Sequence, residues 1–413
     1  MMRGGHLVRA DRGFATGDGV ISRLAAPAFA AVLERIDGRL ARGGIEVQVP
    51  GGGIRRLGFR EPGPRADVHI RSWRALARLA TSGSVGWYKA WANGEWSSSD
   101  PVAIFELFSV NAPALGDTGR AKGPFRWLNR IAHAARDNAP RKARANIAAH
   151  YDLGNDFYAA WLDQTMTYSS ARFSPGDSLE DGQRRKISLL LDRLNVTPGQ
   201  RLLEIGCGWG SLAIAAAERG ASVVGLTLST EQKALAERRI AAAGLADRIE
   251  IRLQDYRETS GEFDAIASVE MVEAVGIRWW GAYLDTIVRN LKPSGRAALQ
   301  FISIHHNLFD HYRRNPDFIQ AYIFPGGLVI DEPRLAALAV ERGLSWQDRE
   351  GFAGDYAETL RQWRQRYDAA VDRGELAGFE PAFHELWRYY LMYCEGGFRG
   401  GAIDVAQTTL VKN

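Results

Sequence analysis

The stretch LLEIGCGWGS, residues 202–211, places three glycines between a short apolar run and a segment of helical pattern. Glycines at such a junction let the backbone turn tightly and approach a ligand closely. Taken alone, G-x-G-x-G is a weak motif, which fits a dinucleotide site, a site for a nucleotide-like methyl donor, or only a tight turn. The third glycine, Gly210, comes one residue too early for the dinucleotide fingerprint G-x-G-x-x-G.

Strands and helices alternate in the sequence on both sides of this loop. From residue 178 the patterns predict a capped helix, the strand 201–205 before the loop, and further helices and strands up to about residue 303. Such alternation favours βαβ units on a parallel sheet. We therefore expect a doubly wound, Rossmann-like α/β fold, whose ligands bind at the carboxyl ends of the strands.

Two further features decide between the ligands of the loop. Glu204 lies two residues before Gly206, inside the strand, and LKPSG at residues 291–295 precedes a late strand. Both are typical of class I methyltransferases that use S-adenosylmethionine (SAM), so we interpret the loop as a SAM site.

The strand after the glycine loop ends in GLTLS rather than in the acidic residue that usually binds the ribose hydroxyls. We expect Thr227 and Gln232 to supply neutral hydrogen bonds instead, although Thr227 also suits a strand end as a cap-like residue. Asp255 and Tyr256 follow the next strand and are placed to meet the adenine.

The 413-residue chain is long enough for two or three domains. Residues 1–115 predict a smaller α+β accessory domain for lipid docking or for assembly of a homodimer, residues 116–149 a basic linker, and residues 150–413 the catalytic domain. Cys207 and Cys394 lie too far apart for a CxxC metal site, and we expect no metal. The first residues lack the apolar core of a signal peptide, which favours a cytoplasmic protein.

Residues 120–144 of the linker carry eight Lys or Arg against one acidic residue, Asp137, with Phe125 and Trp127 interleaved. Such a stretch suits anionic lipid headgroups or nucleic acid. Charge alone favours a plainer interpretation, a solvated linker or helix face.

Six phrases occur together and in order: HYDLGNDFYAAWLDQTMTYSSARF (150–173), LLEIGCGWG (202–210), GLTLSTEQ (225–232), SVEMVEAVG (268–276), YIFPGG (322–327) and YYLMYCEGGFRGG (389–401). In these phrases the chain strongly resembles the cyclopropane-fatty-acyl-phospholipid synthase family, which includes the mycolic acid cyclopropane synthases. The resemblance runs from His150 to the C-terminus. It implies SAM as the methyl donor and an unsaturated phospholipid acyl chain as the acceptor.

The resemblance also implies the site residues. The positions that match SAM contacts are Tyr168, Ser169, Glu204, Gly206, Cys207, Gly208, Trp209, Gly210, Thr227, Leu228, Gln232, Asp255 and Tyr256. Members of the family hold a bicarbonate ion, whose matching ligands are Ser170, Glu273, Gln300, Ile302 and Tyr356, and Cys394 matches an active-site cysteine. Ser170 replaces a Cys, Gln300 replaces a His, and Glu270 stands where some relatives carry Gly.

Glu270 and Glu273 follow directly after the apolar strand 263–269, where unpaired carboxylates are costly to bury. We expect Glu273 to anchor bicarbonate and Glu270 to orient SAM or to support Glu273. Alternatively, one of the two carboxylates is itself the base, or the pair only caps the following helix. Cys394 equally suits a small hydrophobic residue of the core.

The implied reaction adds a methyl group to the double bond and leaves a carbocation on the lipid. Aromatic faces, for which Tyr168, Phe324, Tyr322 and Tyr356 are candidates, would stabilise the cation, and bicarbonate would remove a proton so that a cyclopropane ring closes. A hydride shift before proton loss would instead give a methylene- or methyl-branched chain, an alternative that Gln300 keeps open.

Two other functions are less favoured: N-methylation of a small amine, and lipid binding without catalysis. Because an acyl chain must leave the bilayer to be methylated, we expect residues 120–144 to dock on an anionic membrane surface. The enzyme would then be cytoplasmic and peripheral to the inner face of the membrane, with no nucleic-acid partner.

Overall fold

The computed structural model describes residues 3–8, 26–115 and 153–413. The chain forms two compact units: unit 1 is Met1–Arg136, His305–Pro325 and Ala377–Ile403, and unit 2 is Asp137–Ile304, Gly326–Leu376 and Asp404–Asn413. Unit 1 thus includes two segments from the C-terminal part of the chain. The basic stretch 120–144 lies outside the described residues, so its role and the boundaries at 115 and 149 stay predictions.

Unit 1 contains a four-stranded sheet in the order β2-β1-β3-β4, in which β1 (Arg42–Gln48) pairs antiparallel with β2 (Ile54–Gly58) and parallel with β3 (Glu61–Ile70), and β4 is Trp96–Ser97. A π-helical turn spans Ile319–Ile323. The helices are α1 (Gly5–Val8), α2 (Ala26–Asp37), α3 (Arg74–Ala92), α4 (Pro101–Val110), α5 (Ala112–Leu115), α11 (His306–Tyr312) and α14 (Pro381–Arg399).

Aromatic side chains fill the core of unit 1. The ring of Tyr88 lies 4.9 Å from that of Phe318 and 5.0 Å from that of Tyr389, and Trp87 stacks on Trp96 at 4.4 Å. Edge-to-face and stacked rings of this kind add to the free energy gained by burying their large surfaces. These contacts join α3, the π-helical turn and α14 into one core.

Unit 2 contains a seven-stranded sheet in the order β10-β11-β9-β8-β5-β6-β7. Its strands are β5 (Arg201–Ile205), β6 (Ser222–Thr227), β7 (Ile249–Leu253), β8 (Phe263–Val269), β9 (Leu291–Ile304), β10 (Leu344–Gly351) and β11 (Ile403–Lys412). Its helices are α6 (Asn155–Ala159), α7 (Leu179–Arg193), α8 (Ser211–Glu218), α9 (Thr230–Ala242), α10 (Trp280–Asn290), α12 (Glu332–Val340) and α13 (Ala353–Asp372). Short 3₁₀ turns occur at Tyr256–Glu258, Val272–Ala274 and Ile277–Trp279.

The parallel pairing of β5 with β6 and β8, of β6 with β7, and of β8 with β9 confirms the predicted doubly wound α/β fold. The chain reverses its direction of strand addition beside β5, so the carboxyl end of this strand is where such a sheet binds its ligand. β10 pairs antiparallel with β11 and completes the sheet.

Two local predictions can be compared with the structure. Ser178 caps α7 through a capping box with Asp181, as the sequence predicted. The phrase KPSG does not break the chain between two elements, because it lies inside β9, where Ser294 has a φ of +60° and the register against β8 shifts. Within the described residues, no helix has both the length and the apolar character needed to cross a membrane.

Candidate active site

The glycine loop follows β5 directly and is fixed to the neighbouring strand. The backbone N–H groups of Gly206 and Cys207 donate to the carbonyl oxygen of Leu226, at 3.1 and 2.9 Å. Gly206 and Gly208 have φ values of +86° and +51°, which glycine adopts without steric cost. A Cβ atom built on Gly208 would meet nothing within 4 Å, so open space borders the loop on this side. The loop therefore has the shape that close approach of a ligand requires.

Glu204 provides a buried carboxylate beside the loop. It accepts a hydrogen bond from the backbone of Ala213 in the first turn of α8, while its Oε2 atom is buried without a partner among the described residues. Burial raises the pKa of Glu204 to about 8. A buried oxygen of this kind calls for a ligand donor, and the ammonium group of SAM fits it.

The end of β6 provides neutral polar groups that bond to one another. The Thr227 hydroxyl donates to Oε1 of Gln232 at 2.9 Å and accepts from the backbone N–H of Ser229 at 3.1 Å. Since Oε1 of Gln232 accepts from Thr227, Nε2 of Gln232 remains a donor, and its hydrogen bond to a ribose hydroxyl stays a prediction. Leu228, between them, is half-buried.

Asp255 and Tyr256 follow β7, and the neighbouring Arg257 binds the carboxylate of Asp255. Arg257 donates to both oxygens of Asp255, at 2.8 and 2.6 Å. Burial acts to raise the pKa of Asp255, and the hydrogen bonds from Arg257 outweigh it and lower the pKa. The guanidinium also lies 5.2 Å from the Tyr256 ring and 5.0 Å from the Trp279 ring. Trp279 is an aromatic neighbour of this region that the sequence analysis missed.

Four further residues were matched to SAM contacts, and their side chains all have neighbours within unit 2: Tyr168, Ser169, Cys207 and Trp209. The Cys207 side chain belongs to the hydrophobic core of unit 2, and burial raises its pKa. A ligand of the glycine loop can therefore meet only the backbone of Cys207. The indole N–H of Trp209 donates to Asn155 at 2.7 Å. Ser169 accepts a hydrogen bond from Nζ of Lys186 at 2.6 Å, and the Tyr168 ring lies 5.2 Å from that of Trp363.

Donors from three separate parts of unit 2 converge on the carboxylate of Glu270. The backbone N–H of Ser170 and Nε2 of Gln300 donate to its Oε1 atom, at 2.9 and 2.8 Å. The hydroxyl of Tyr356, in the first turn of α13, donates to its Oε2 atom at 2.7 Å. The Ser170 hydroxyl instead donates to the Ala171 carbonyl. Three donors on one carboxylate favour its ionised form.

Glu273 lies in the 3₁₀ turn Val272–Ala274 and has a different environment. Its Oε1 atom accepts from the backbone N–H of Ile302, and its Oε2 atom is buried without a partner among the described residues. Burial, together with the negative charge of Glu270, raises the pKa of Glu273 to about 8. Burial also raises the pKa of Glu270, but the charge of Lys186 and the three donors oppose it. Of the two carboxyl groups, Glu273 therefore holds a proton more readily, and the three donors favour the ionised form of Glu270.

The backbone at Glu270 is unusual. Its φ is +47°, a left-handed conformation that non-glycine residues seldom adopt, and its N–H donates to the Gln300 carbonyl oxygen at 2.7 Å. Non-glycine residues held in such a backbone conformation are common at functional sites. The conformation directs the carboxylate to the three donors.

These contacts decide whether the residues fit a bicarbonate ion. Of the five positions matched to bicarbonate ligands, Ser170, Gln300 and Tyr356 donate to Glu270, and Ile302 donates to Glu273. The donors are thus already bonded to carboxylates of the chain itself. The described residues do not fit bicarbonate as a further ligand.

Cys394 lies in unit 1, on α14, where burial and the negative charge of Asp317 raise its pKa far above the usual value of a thiol. A thiol so strongly protonated behaves as a small apolar group. Tyr322 and Phe324 belong to the same unit. Their predicted parts in the reaction, like that of Cys394, stay predictions.

Sequence reasoning missed Lys186, which lies on the buried face of α7 with Leu179 and Leu190. Burial lowers the pKa of Lys186 to about 8, although the carboxylates of Glu270, Asp163 and Glu204 act to raise it. A lysine at heptad spacing on the apolar face of a helix was a signal that could have identified it.

The sheet order, the glycine loop and the unpartnered oxygen of Glu204 define a class I SAM-dependent methyltransferase. More narrowly, the chain belongs to the mycolic acid cyclopropane synthetase family, whose model matches residues 138–408. The resemblance noted in the sequence is thereby confirmed. The enzyme is of the cyclopropane-fatty-acyl-phospholipid synthase type and acts, with SAM, by cyclopropanation or methylation of lipid acyl chains.

Three relatives illustrate the similarity. The chain is 40% identical over 364 residues to the tuberculostearic acid methyltransferase UfaA1 of Mycobacterium tuberculosis, covering 84% of each chain. It is 35% identical over 347 residues to the cyclopropane-fatty-acyl-phospholipid synthase of Escherichia coli, covering 83% of this chain and 87% of the relative. A solved structure of the mycolic acid cyclopropane synthase CmaA1 with SAH and CTAB superposes with a TM-score of 0.61 at 32% identity, over 65% of this chain and 98% of that one.

Proposed function

We propose that this enzyme transfers the methyl group of SAM to the double bond of an unsaturated phospholipid acyl chain, and that Glu270 then removes a proton from the transferred methyl group. The observation that carries the proposal is the carboxylate of Glu270, held by Ser170, Gln300 and Tyr356. Glu270 takes the part that bicarbonate was expected to play. A proton acceptor fixed in a buried site suits general-base catalysis.

The proposed bond changes balance without another reactant. SAM supplies an electrophilic methyl group, and the S–C bond breaks with its electron pair remaining on sulfur. The π electrons of the acyl chain form the new C–C bond, which leaves a positive charge on the adjacent carbon. Glu270 takes a proton from the new methyl group, and the released C–H pair closes the cyclopropane ring. Because an isolated alkene is a poor nucleophile, positioning has to supply much of the acceleration, about 7–11 kcal/mol in favourable cases.

Aromatic rings near Glu270 support the cationic step. The Trp363 ring lies 5.2 Å from that of Tyr168 and 6.2 Å from that of Tyr356, the donor to Glu270. The negative faces of such rings attract a cation, and the attraction is stronger where water is excluded. Trp363 and Tyr356 are buried, so the ionised base and the rings share a site of low water content.

A methylene-branched product is the second candidate. A hydride shift to the cationic carbon moves the charge to the carbon that bears the new methyl group. Loss of a proton from the methyl group to Glu270 then leaves a C=CH2 double bond that branches from the chain. Two observations favour this product: the 40% identity with a tuberculostearic acid methyltransferase, and the departures from the family pattern at Glu270 and Gln300.

The test uses trideuteromethyl-SAM and vesicles of monounsaturated phospholipid, with mass spectrometry and proton NMR of the acyl chains. Two retained deuteriums without vinyl signals indicate the ring, and two retained deuteriums in a vinylidene group indicate the branched product. Three retained deuteriums would contradict proton removal from the methyl group. In parallel, Glu270→Gln should lose turnover and still bind SAM in calorimetry; full turnover in this variant would remove Glu270 from the mechanism.

We also propose that residues 120–144 dock the enzyme on anionic membranes, since eight basic residues and interleaved aromatic residues lie there. The enzyme should sediment with vesicles that contain anionic lipid, and high salt should release it. Equal sedimentation with zwitterionic vesicles would contradict electrostatic docking. A cytoplasmic location and a homodimer stay predictions, the latter open to light scattering.

A further inference from the structure

Two buried glutamines form a relay of side-chain amides next to Glu270. Nε2 of Gln407, on β11, lies 3.0 Å from Oε1 of Gln300, on β9, and Nε2 of Gln300 lies 2.8 Å from Oε1 of Glu270. Gln407 is 0% exposed and Gln300 is 1% exposed. An amide side chain can present either its oxygen or its nitrogen, so its surroundings decide which one faces a neighbour.

The neighbours of Gln407 fix its orientation. Nε of Arg193 lies 3.3 Å from Oε1 of Gln407, and a guanidinium can only donate. On the other side, the carbonyl oxygen of Lys186, which can only accept, lies 3.5 Å from Nε2 of Gln407. Both contacts turn Nε2 of Gln407 towards Gln300.

The orientation of Gln300 follows from that of Gln407. Its Oε1 atom accepts from Gln407, and its Nε2 atom also lies 3.3 Å from the carbonyl oxygen of Ser170, another pure acceptor. Gln300 can therefore only donate to Glu270. A donor facing a carboxylate stabilises the ionised form, whereas an acceptor would stabilise the protonated form.

We infer that Gln407 is a positioning residue for the base: acting through Gln300, it keeps Glu270 in the form that accepts a proton. The inference rests on the proposed function, in which Glu270 takes the proton of the methyl group. A histidine at position 300 could offer either a donor or an acceptor, depending on its tautomer. The two amides, oriented from Arg193, offer a donor only.

Charged and titratable groups also face Glu270 from the other elements packed around it. Lys186 on α7 and Tyr356 on α13 act to lower its pKa, and Glu273 lies on the following 3₁₀ turn. Arg193 at the far end of the relay is paired with Glu350 at 2.9 Å. None of these groups changes when Gln407 is replaced by a neutral residue, so a change in the pH profile of such a variant reports on the relay.

The test is the pH dependence of turnover in Gln407→Glu. The new carboxylate can still accept from Arg193 but cannot donate to Gln300, so the Gln300 amide turns over and presents Oε1 to Glu270. The midpoint of the acidic limb should then rise by about one pH unit or more. Turnover at pH 7 should fall and recover at higher pH, while SAM affinity stays unchanged.

Two further variants accompany it. Gln407→Met has a similar volume but no hydrogen-bonding group, so it releases Gln300 and should give a smaller rise of the same midpoint. Gln347→Glu, on the exposed part of β10, makes the same chemical change away from the relay and should not move the midpoint. Melting temperatures show whether each variant folds. Gln407→Met adds no charge, so its midpoint separates loss of the relay from the electrostatic effect of the new carboxylate in Gln407→Glu.

An unchanged midpoint in folded Gln407 variants would overturn the inference, and so would an equal loss of turnover at every pH, which indicates a structural role only. Glu270→Gln in the same assay separates the two proposals. If this variant keeps its turnover, the proposed function fails. If Glu270→Gln is inactive while the Gln407 variants keep the acidic midpoint of the unchanged enzyme, the proposed function stands and only the role of Gln407 is refuted.

Discussion

The glycine loop, residues 202–210, and the carboxylate cluster, formed by Glu270 and Glu273 with Ser170, Gln300 and Tyr356, are built in different ways. The loop is one contiguous run, and its backbone geometry follows from glycines at fixed spacing. The cluster takes its groups from a loop, the turn after β8, the interior of β9 and the first turn of α13. It depends on which carboxylate oxygen faces which donor. Short motifs can therefore reveal where SAM binds, while the acid–base chemistry depends on long-range packing.

The largest effect is expected from emptying the centre of the cluster with Glu270→Gly. Turnover should fall by about 100- to 10,000-fold in bicarbonate-free buffer, the usual contribution of a general base. Glycine accepts the φ of +47° without strain and leaves three donors facing an empty space. Added bicarbonate should therefore restore part of the turnover.

The matched control is Glu270→Gln, whose side chain fills the space and should gain nothing from bicarbonate. Initial rates with and without bicarbonate measure both variants. If Glu270→Gly is fully active in bicarbonate-free buffer, or if bicarbonate stimulates the unchanged enzyme, the chain's own carboxylate is not the base.

The sequence predicted much of the fold because strand and helix periodicities are local. The strand 201–205, the capping box at Ser178 and the turn at the glycines were predictable from neighbouring residues. The phrase KPSG was less informative, since its irregularity lies within a strand whose partner is 28 residues away at Phe263↔Leu291.

The site was only partly predictable, since a motif match identifies positions without showing what they bind. The matched positions Ser170, Gln300 and Tyr356 do converge, but on Glu270, which the sequence analysis gave a supporting part or, as an alternative, the role of the base. Lys186 could have been found from its place on an apolar helix face. Gln407 could not, because every residue from Val405 to Leu410 is buried and the pattern does not show which one meets Gln300.

Glu204→Gln should disturb the loop and leave the cluster intact. Loss of a charge-assisted hydrogen bond to the SAM ammonium group should raise the dissociation constant of SAM about 10- to 100-fold. Because burial raises the pKa of Glu204 to about 8 and SAM favours the ionised carboxylate, SAM affinity of the unchanged enzyme should rise as pH approaches 8. The variant should lose this dependence.

Calorimetry between pH 6 and pH 9 measures both effects, and Glu218→Gln, an exposed carboxylate at the end of α8, is the control. SAM binding as tight and as pH-dependent in Glu204→Gln as in the unchanged enzyme would contradict a contact with the ammonium group.

Glu273→Gln separates the two carboxylates of the cluster. Since the pKa of Glu273 is about 8, its side chain is neutral at pH 7, and glutamine matches both its size and its charge. Turnover at pH 7 should stay within about tenfold of the unchanged enzyme, in contrast to Glu270→Gln. A 100-fold loss with intact SAM binding would instead make Glu273 the base.

The same variant should alter the dependence of stability on pH. A folded-state pKa raised from 4.5 to about 8 gives stability that is fully present below pH 4.5 and is lost as pH rises through about 8. Glutamine does not titrate, so the melting temperature of Glu273→Gln relative to that of the unchanged enzyme should increase between pH 5 and pH 8. A constant difference would show that the pKa of Glu273 is not raised.

The smallest effect is expected from Ser170→Cys, which restores the residue of the family pattern. The Ser170 hydroxyl donates to Ala171 at 3.0 Å, and only its backbone N–H reaches Glu270. Turnover should therefore stay within about twofold, because a buried neutral hydrogen bond contributes about 1 kcal/mol to stability and this one does not touch the base. Ser169→Cys is a useful contrast, since it removes the hydroxyl that accepts from Lys186. If Ser170→Cys lowers turnover tenfold or more while Ser169→Cys does not, the side chain at position 170 contributes to the reaction, and the cluster does not act through its backbone alone.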